Sequence, residues 1–274
     1  MEKSISEVMQ VEPSLQKLSQ TTESYSEVEL TEEEEKAAIS EALKQAKKAK
    51  LNQIRSKEYW DRVNNPPEPP KFTAQQTFEY FLNQAKALNK NFVINDYNRS
   101  IIEMLCLYFS NDPKFEESGF KLNKGIMLVG PVGCGKTTIM KAFGRNTTNS
   151  FAIVACRKVS QDYTDKTNGG AISIEKYSNL LASYPQMNFG QDRIGYCFDD
   201  LGTENIKKHF GNDMDVMAEI IYSRYDLGLA KQTHFTANLT STEIEDTYGS
   251  RVRSRLREMC NFISFDTNSP DFRI

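Results

Sequence analysis

The 274 residues are 39% hydrophobic and 26% charged, enough for one α/β domain plus an attachment, with an apolar fraction low enough that part of the chain must be solvated. A formal net charge of −3 gives no global electrostatic case for wrapping nucleic acid, so any polyanion has to be met locally. No apolar run approaches the ~20 residues that cross a bilayer, no apolar leader opens the chain, and Cys106, Cys134, Cys156, Cys197 and Cys260 are widely spaced without a CxxC pair, so the expectation is a cytoplasmic protein with reduced thiols and no membrane partner.

Charge divides the N-terminal part. Residues 1–35 carry ten glutamates against Lys3 and Lys17, and this Ser/Thr/Glu-rich composition predicts a disordered acidic tail over residues 1–30. From Lys36 to Arg62 the sign reverses, with eight basic against three acidic residues. Thr31 and Glu34 have capping-box spacing, and Glu32 to Glu35 place negative charge at an electropositive helix start. The spacing therefore predicts a helix from Thr31 to Val63. Its alanines favour helix, but Ile39, Leu43, Leu51 and Ile54 make only a thin apolar stripe, ending in Tyr59, Trp60 and Val63. Two readings follow: a solvated basic helix, or a partner-docking helix over residues 31–64 with Trp60 as its anchor. The prolines at 66, 67, 69 and 70 end it and place a domain boundary, so residues 71–274 form the second domain.

Helical patterns follow at Thr73 to Leu88 and Asp96 to Ser110. Short apolar runs then alternate with amphipathic stretches, at Gly125 to Val129, Phe151 to Cys156, Ile194 to Phe198, Thr233 to Ala237 and Phe262 to Phe265. The alternation predicts an α/β domain with a parallel sheet of about five strands covered on both faces.

Gly130, Pro131, Val132, Gly133, Cys134, Gly135, Lys136 and Thr137 match GxxxxGK[ST] between a strand and a helix, the context that makes this loop a phosphate cradle. Its amides turn toward phosphates, Lys136 reaches the β- and γ-phosphates, the Thr137 hydroxyl can ligate magnesium, and Thr138 continues the loop into the helix. ATP and Mg2+ are the expected cofactors. Asp199 and Asp200 end an apolar strand; in such a fold Asp199 holds magnesium and Asp200 orients or polarises the attacking water, unless Asp200 caps the next helix.

The series DDLG at 199–202, TANL at 236–239 and YGxRVxSRL at 248–256, together with the loop, resembles the DnaC/IstB branch of the AAA+ ATPases. The resemblance covers roughly residues 120–274 and implies a three-layer P-loop domain without a C-terminal lid. It further implies that Asn238 senses the attacking water or γ-phosphate, unless it is a turn residue. It implies an arginine finger acting on a neighbouring subunit through a self-association interface, with Arg255 the better match and Arg251 four residues earlier on the same face. No second sensor arginine is evident. The stretch after the second strand, with Arg157, Lys158, Tyr163, Lys166 and Lys176, mixes basic and aromatic residues suited to single-stranded DNA.

The implied function is an ATPase that loads or remodels a replicative DNA helicase on single-stranded DNA. The rival within the branch is an IstB-like transposition helper acting on duplex DNA with a transposase. Residues 1–70 hold too few apolar residues for an independent DNA-binding fold, which favours the loader. A GTPase is disfavoured because no NKxD motif is present, and an inactive interaction protein because the loop and both carboxylates are intact.

Overall fold

The computed structural model describes residues 29–64, 70–204, 207–209 and 212–273. The expected acidic tail and most of the proline linker lie outside the described residues. The chain falls into two units, Met1–Pro66 and Pro67–Ile274.

In the first unit, helix α1 runs Glu32–Asn64. The capping box forms as its spacing requires: the Thr31 amide donates to Glu34 Oε2 at 2.9 Å, and the Glu34 amide donates to Thr31 Oγ1 at 3.3 Å. Ile39, Leu43, Leu51, Ile54, Tyr59 and Trp60 are all exposed. The two aromatic rings meet edge to face, 5.4 Å apart.

The second unit opens with α2 (Ala74–Leu88), α3 (Arg99–Phe109) and the short α4 (Lys114–Glu117). Thr73 and Gln76 close a second capping box, and Thr77, Phe81 and Ala85, four residues apart, give α2 its buried stripe. Then come β1 (Gly125–Val129), α5 (Lys136–Phe143), β2 (Phe151–Ala155), α6 (Cys156–Tyr163), α7 (Ala171–Ser178) and a two-residue β3 (Leu181–Ala182). The nine-residue β4 (Arg193–Leu201) is followed by a separate hairpin, β5 (Lys207–His209) with β6 (Asn212–Met214). The unit ends with α8 (Val216–Asp226), β7 (Thr233–Ala237), α9 (Ser241–Met259) and β8 (Cys260–Ser264).

The main sheet has the order β2-β4-β7-β1-β8, all parallel along this path, and β3 adds an antiparallel bridge beside the start of β4. Strand residues alternate between two buried faces, as a sheet covered on both sides demands. Ile126, Leu128 and Cys197 enter the core shared with α2, α3, α4 and α5; Met127, Tyr196 and Phe198 enter the core shared with α6, α7, α8 and α9. Phe143 stacks on Phe81 at 4.5 Å and on Phe109 at 4.8 Å. Through these rings α2 and α3 hold α5, the helix that starts at Lys136. Truncating such a buried Phe typically costs about 3–5 kcal/mol.

The expected five-strand parallel sheet is thus present, with strand limits shifted by a few residues at β4 and β8. Helix α9 is interrupted within its length. Gly249 has φ 84° and ψ 163°, which breaks the helix into two segments, a backbone that glycine adopts without a Cβ clash.

Candidate functional site

Strand order assembles the site. The phosphate loop follows β1, the two carboxylates end β4, and β7 lies between those strands, so the residue after its tip, Asn238, falls between Lys136 and Asp200. No local sequence pattern brings these three segments together; the parallel sheet aligns their carboxyl ends, where α/β folds bind ligands.

Lys136 is 95% covered, and its ammonium donates to Gly130 O and Pro131 O at 2.8 Å each and to Asn238 Oδ1 at 2.6 Å. Burial pulls its pKa below the usual lysine value, an effect opposed by the neighbouring Cys134 and Asp200. Three oxygen acceptors and these neighbours offset the cost of burying the charge. The loop turns through Gly133 and Gly135, at φ 82° and 99°. At Gly133 the positive φ favours glycine, and a Cβ there would displace the Asp271 carboxylate, whose Oδ1 would lie 1.9 Å away.

Asp199 is buried, and its Oδ1 accepts from Thr137 Oγ1 at 2.8 Å and from Thr236 Oγ1 at 2.6 Å. The pair Thr137 and Asp199 offers hard oxygen donors a hydrogen bond apart. That set suits Mg2+, which keeps several waters and takes remaining ligands from phosphates. Among the described residues no cluster of three or more His, Cys, Asp or Glu could hold a metal by itself, so any cation here depends on a ligand's own oxygens.

Asp200 has φ 58°, a left-handed backbone, and its amide donates to Thr236 Oγ1 at 2.8 Å. Burial and the adjacent Asp199 push its carboxyl above the usual range, while Lys136, Arg273 and Arg157 oppose the rise. The helix-cap alternative for Asp200 does not apply to α8, which is capped by Asp215 accepting from the Ala218 amide. Two segments of the motif series are tied together through Glu204, which accepts from the Tyr248 hydroxyl and, through its other oxygen, from the Gly202 amide at 3.0 Å. This bond anchors the loop after Asp200 to α9.

A cavity of about 670 Å³ is lined by Gly133, Cys134, Gly135, Lys136, Thr137, Thr138, Asp200 and Asn238. Its remaining walls come from the α2–α3 loop, including Asn89, Phe92 and Val93, and from Phe272 and Arg273. Neither wall is legible in the sequence as a site. The α2–α3 loop carries no motif, and only the run Asn89, Asn91, Asn95 and Asn98 hints at a polar turn-rich segment.

Arg251 and Arg255 are not among the residues that line this cavity. Arg251 is exposed. The Arg255 guanidinium stacks on the Tyr225 ring at 3.9 Å and lies 3.6 Å from Glu258 Oε1. Tyr225 also donates to Glu258 at 2.6 Å, so a small network orients Arg255.

The set expected to meet DNA needs correction. Tyr163 is buried in the core beside Val159 and Tyr177, so its ring has no face for a base. Lys158 and Lys176 share the Asp162 carboxylate at 2.5 and 3.3 Å, and Arg157 and Lys166 are exposed. Helical spacing puts Tyr163 on the inward face of α6, four residues from Val159.

Residues 126–179 match the profile of the AAA family, the ATPase family associated with various cellular activities. A proteasome-activating nucleotidase of Sulfurisphaera tokodaii is 29% identical over 129 residues, 46% of this chain and 32% of that protein. A nucleotidase of the same name from Methanococcus vannielii is 41% identical over 61 residues, 22% and 15% of the two chains. The chain thus spans about a third or less of these curated relatives. Among solved structures it is similar to a DnaC helicase loader, at 18% identity and TM-score 0.42 over 68% of this chain and 98% of that one. It is also similar to AMPPCP-bound DnaA from Aquifex aeolicus, at 17% identity and TM-score 0.44 over 65% and 49%. Likenesses at those scores carry nothing about activity. The sheet, the loop and the profile match together give a P-loop fold of the AAA+ kind and support an ATPase.

Proposed function

We propose that the protein is a Mg2+-dependent ATPase of the DnaC/IstB-like branch that loads or remodels a replicative DNA helicase on single-stranded DNA. The observation that carries the ATPase part is the convergence of Lys136, Thr137, Asp199, Asp200 and Asn238 at the ends of three adjacent strands. Lys136 and the loop amides hold the phosphates. Thr137 and Asp199 would hold Mg2+, which when bound neutralises developing charge on the β- and γ-oxygens. Asp200 accepts a proton from water as the water oxygen bonds to the γ-phosphorus and the bond to the β-phosphate oxygen breaks. Asn238, already bonded to Lys136, orients the γ-phosphate end. Arg255, with Arg251 second, would complete the site of a neighbouring copy, its planar charge matching the spread charge of the transferring phosphoryl group.

The loader part rests on the motif series from 199 to 256 and on α1. That helix is well capped and exposes Trp60, Tyr59 and four aliphatic side chains, so its stable use is against a partner. The helicase is that partner in this reading. Single-stranded DNA contact falls to Arg157, Lys158, Lys166 and Lys176, through phosphate charge rather than base stacking.

Co-purification with the replicative helicase of the same source, with and without ATP, tests the loader. Trp60→Ala should cost on the order of 2 kcal/mol of helicase binding, the size of a buried Trp anchor, and leave ATP binding unchanged. Deleting residues 1–64 should abolish association. If the truncated chain still binds and loads the helicase, α1 is not the docking element, and a transposase with duplex DNA becomes the partner pair to assay.

A further inference from the structure

Beyond β8 the chain doubles back over the phosphate loop and is fastened to it twice. At the first point the Phe265 amide donates to Val129 O at 2.8 Å, extending the β8 ladder on β1. The Phe265 side chain is buried so tightly against the loop that a Cβ on Gly130 would come within 2.6 Å of its own Cβ. At the second point the Phe272 amide donates to Gly133 O at 3.1 Å, and the Asp271 carboxylate lies on the face of Gly133. Between the two fastenings a turn closes with the Ser269 amide on Asp266 O at 3.0 Å, and Pro270 stiffens the return. Asp271 Oδ1 also accepts the Arg273 amide at 2.9 Å. The backbone of residue 273 is therefore set by bonds to the loop and to Asp271.

These fastenings deliver Arg273 to the wall of the cavity that contains Lys136, Thr137, Asp200 and Asn238. Its side chain is exposed to that opening, and among the described residues its guanidinium makes no ion pair or hydrogen bond. Its positive charge is felt by Asp200 and by Lys136, the two groups that flank the place of the last phosphate. The sequence offered no sign of this: Arg273 lies 137 positions from Lys136 and belongs to no motif.

We infer that Arg273 is a phosphate ligand supplied by the same chain, which binds the terminal phosphate of ATP at Lys136 and so distinguishes the triphosphate from the diphosphate. The inference rests on the nucleotide reading above. A guanidinium presents a fork of donors that matches two oxygens of one phosphate, and its charge never titrates near neutrality. A terminal phosphate has three non-bridging oxygens, and Lys136 alone does not satisfy them. The diphosphate lacks the group that Arg273 reaches.

Titration of the full chain with a fluorescent non-hydrolysable ATP analogue and with the matching ADP analogue tests this. Arg273→Ala should weaken the ATP analogue about tenfold, as expected for loss of a charge-assisted bidentate contact, and ADP by less than about twofold. Arg273→Lys should fall between, because it keeps the charge and loses the fork. Arg273 is exposed, so thermal unfolding of the three proteins should coincide. Equal affinities in wild type and Arg273→Ala overturn the inference, and so does an equal loss for both nucleotides, which would make the segment a brace of the loop and no reader of the last phosphate. Failure of the wild type to bind either nucleotide, as Lys136→Ala should fail, overturns the ATPase reading itself and the inference with it.

Discussion

Asp200 is bent into place. An aspartate at φ 58° is uncommon, though a short polar side chain tolerates it, and here Thr236 bonds both its amide and the Asp199 carboxylate. The bend turns two consecutive carboxylates to different tasks, one toward Thr137 and one toward the cavity. Burial and Asp199 raise the Asp200 pKa, and a base must be ionised to work. ATPase activity should therefore rise with pH along an acid limb lying above the ordinary carboxylate range. Asp200→Asn should bind ATP, turn over about 10²–10⁴-fold more slowly and lose that limb, whereas Lys136→Ala should not bind. Phosphate release and analogue binding, measured across pH for both variants, separate the two roles; wild-type turnover in Asp200→Asn removes Asp200 from the mechanism. The residue types and their motifs were legible in the sequence, because phosphate chemistry needs that spacing. The twist at Asp200 was not, since nothing local distinguishes it from an extended strand end.

His234 makes a second residue-scale case. It is fully buried among Tyr108, Phe109 and Phe151, and its Nδ1 accepts from the Ile126 amide at 3.0 Å. Burial, and then Arg224, pull its pKa down to about 3. Between that value and the ordinary histidine range only the unfolded chain takes up the proton, so stability is present above the unfolded pKa and is lost as pH falls. One such proton gives a slope of about 1.4 kcal/mol per pH unit. Denaturant unfolding at pH 7.5, 6 and 5, compared with His234→Gln so that the carboxylates cancel, should show this slope in the wild type alone. Parallel curves for the two proteins would assign the pH dependence elsewhere.

At the scale of elements, end signals were the readable part. Thr31 with Glu34 formed its capping box, and β1 and β7 begin and end where their apolar runs do. Sheet order was not readable: β7 inserts between β1 and β4 because tertiary packing chooses neighbours, and alternation only says that both faces are buried. Helix α9 shows the same division. Its Arg251 and Arg255 lie beyond the break at Gly249 on one continuous segment, where four-residue spacing puts them on one face. The break itself, and the Tyr248 to Glu204 bond beside it, come from tertiary contacts that no local pattern encodes. If Arg255 serves a neighbour's site, Arg255→Ala should bind ATP like the wild type yet hydrolyse it poorly. Mixing it with inactive Lys136→Ala should then restore some hydrolysis, since one supplies the site and the other the arginine. Mixtures that assemble and stay inactive at every ratio would rule out a shared site.

For the whole molecule, composition sets a Glu- and Lys-rich N-terminal stretch against a remainder of alternating apolar runs, and the chain falls into the units Met1–Pro66 and Pro67–Ile274. The two cores on either side of the sheet do different work. One braces α5 and the phosphate loop through stacked aromatics; the other seats α8 and α9, which carry Tyr225 and the arginines. Helix α9 ends at Met259 and β8 begins at Cys260 with no residue between them. β8 is then paired with β1 over all five residues, Gly125 through Val129. The arginine-bearing segment thus runs from the non-helical Gly249 at one end straight into a fully paired strand at the other. A displacement of that segment would therefore reach the strand that feeds the phosphate loop through paired backbone, with no loop between them.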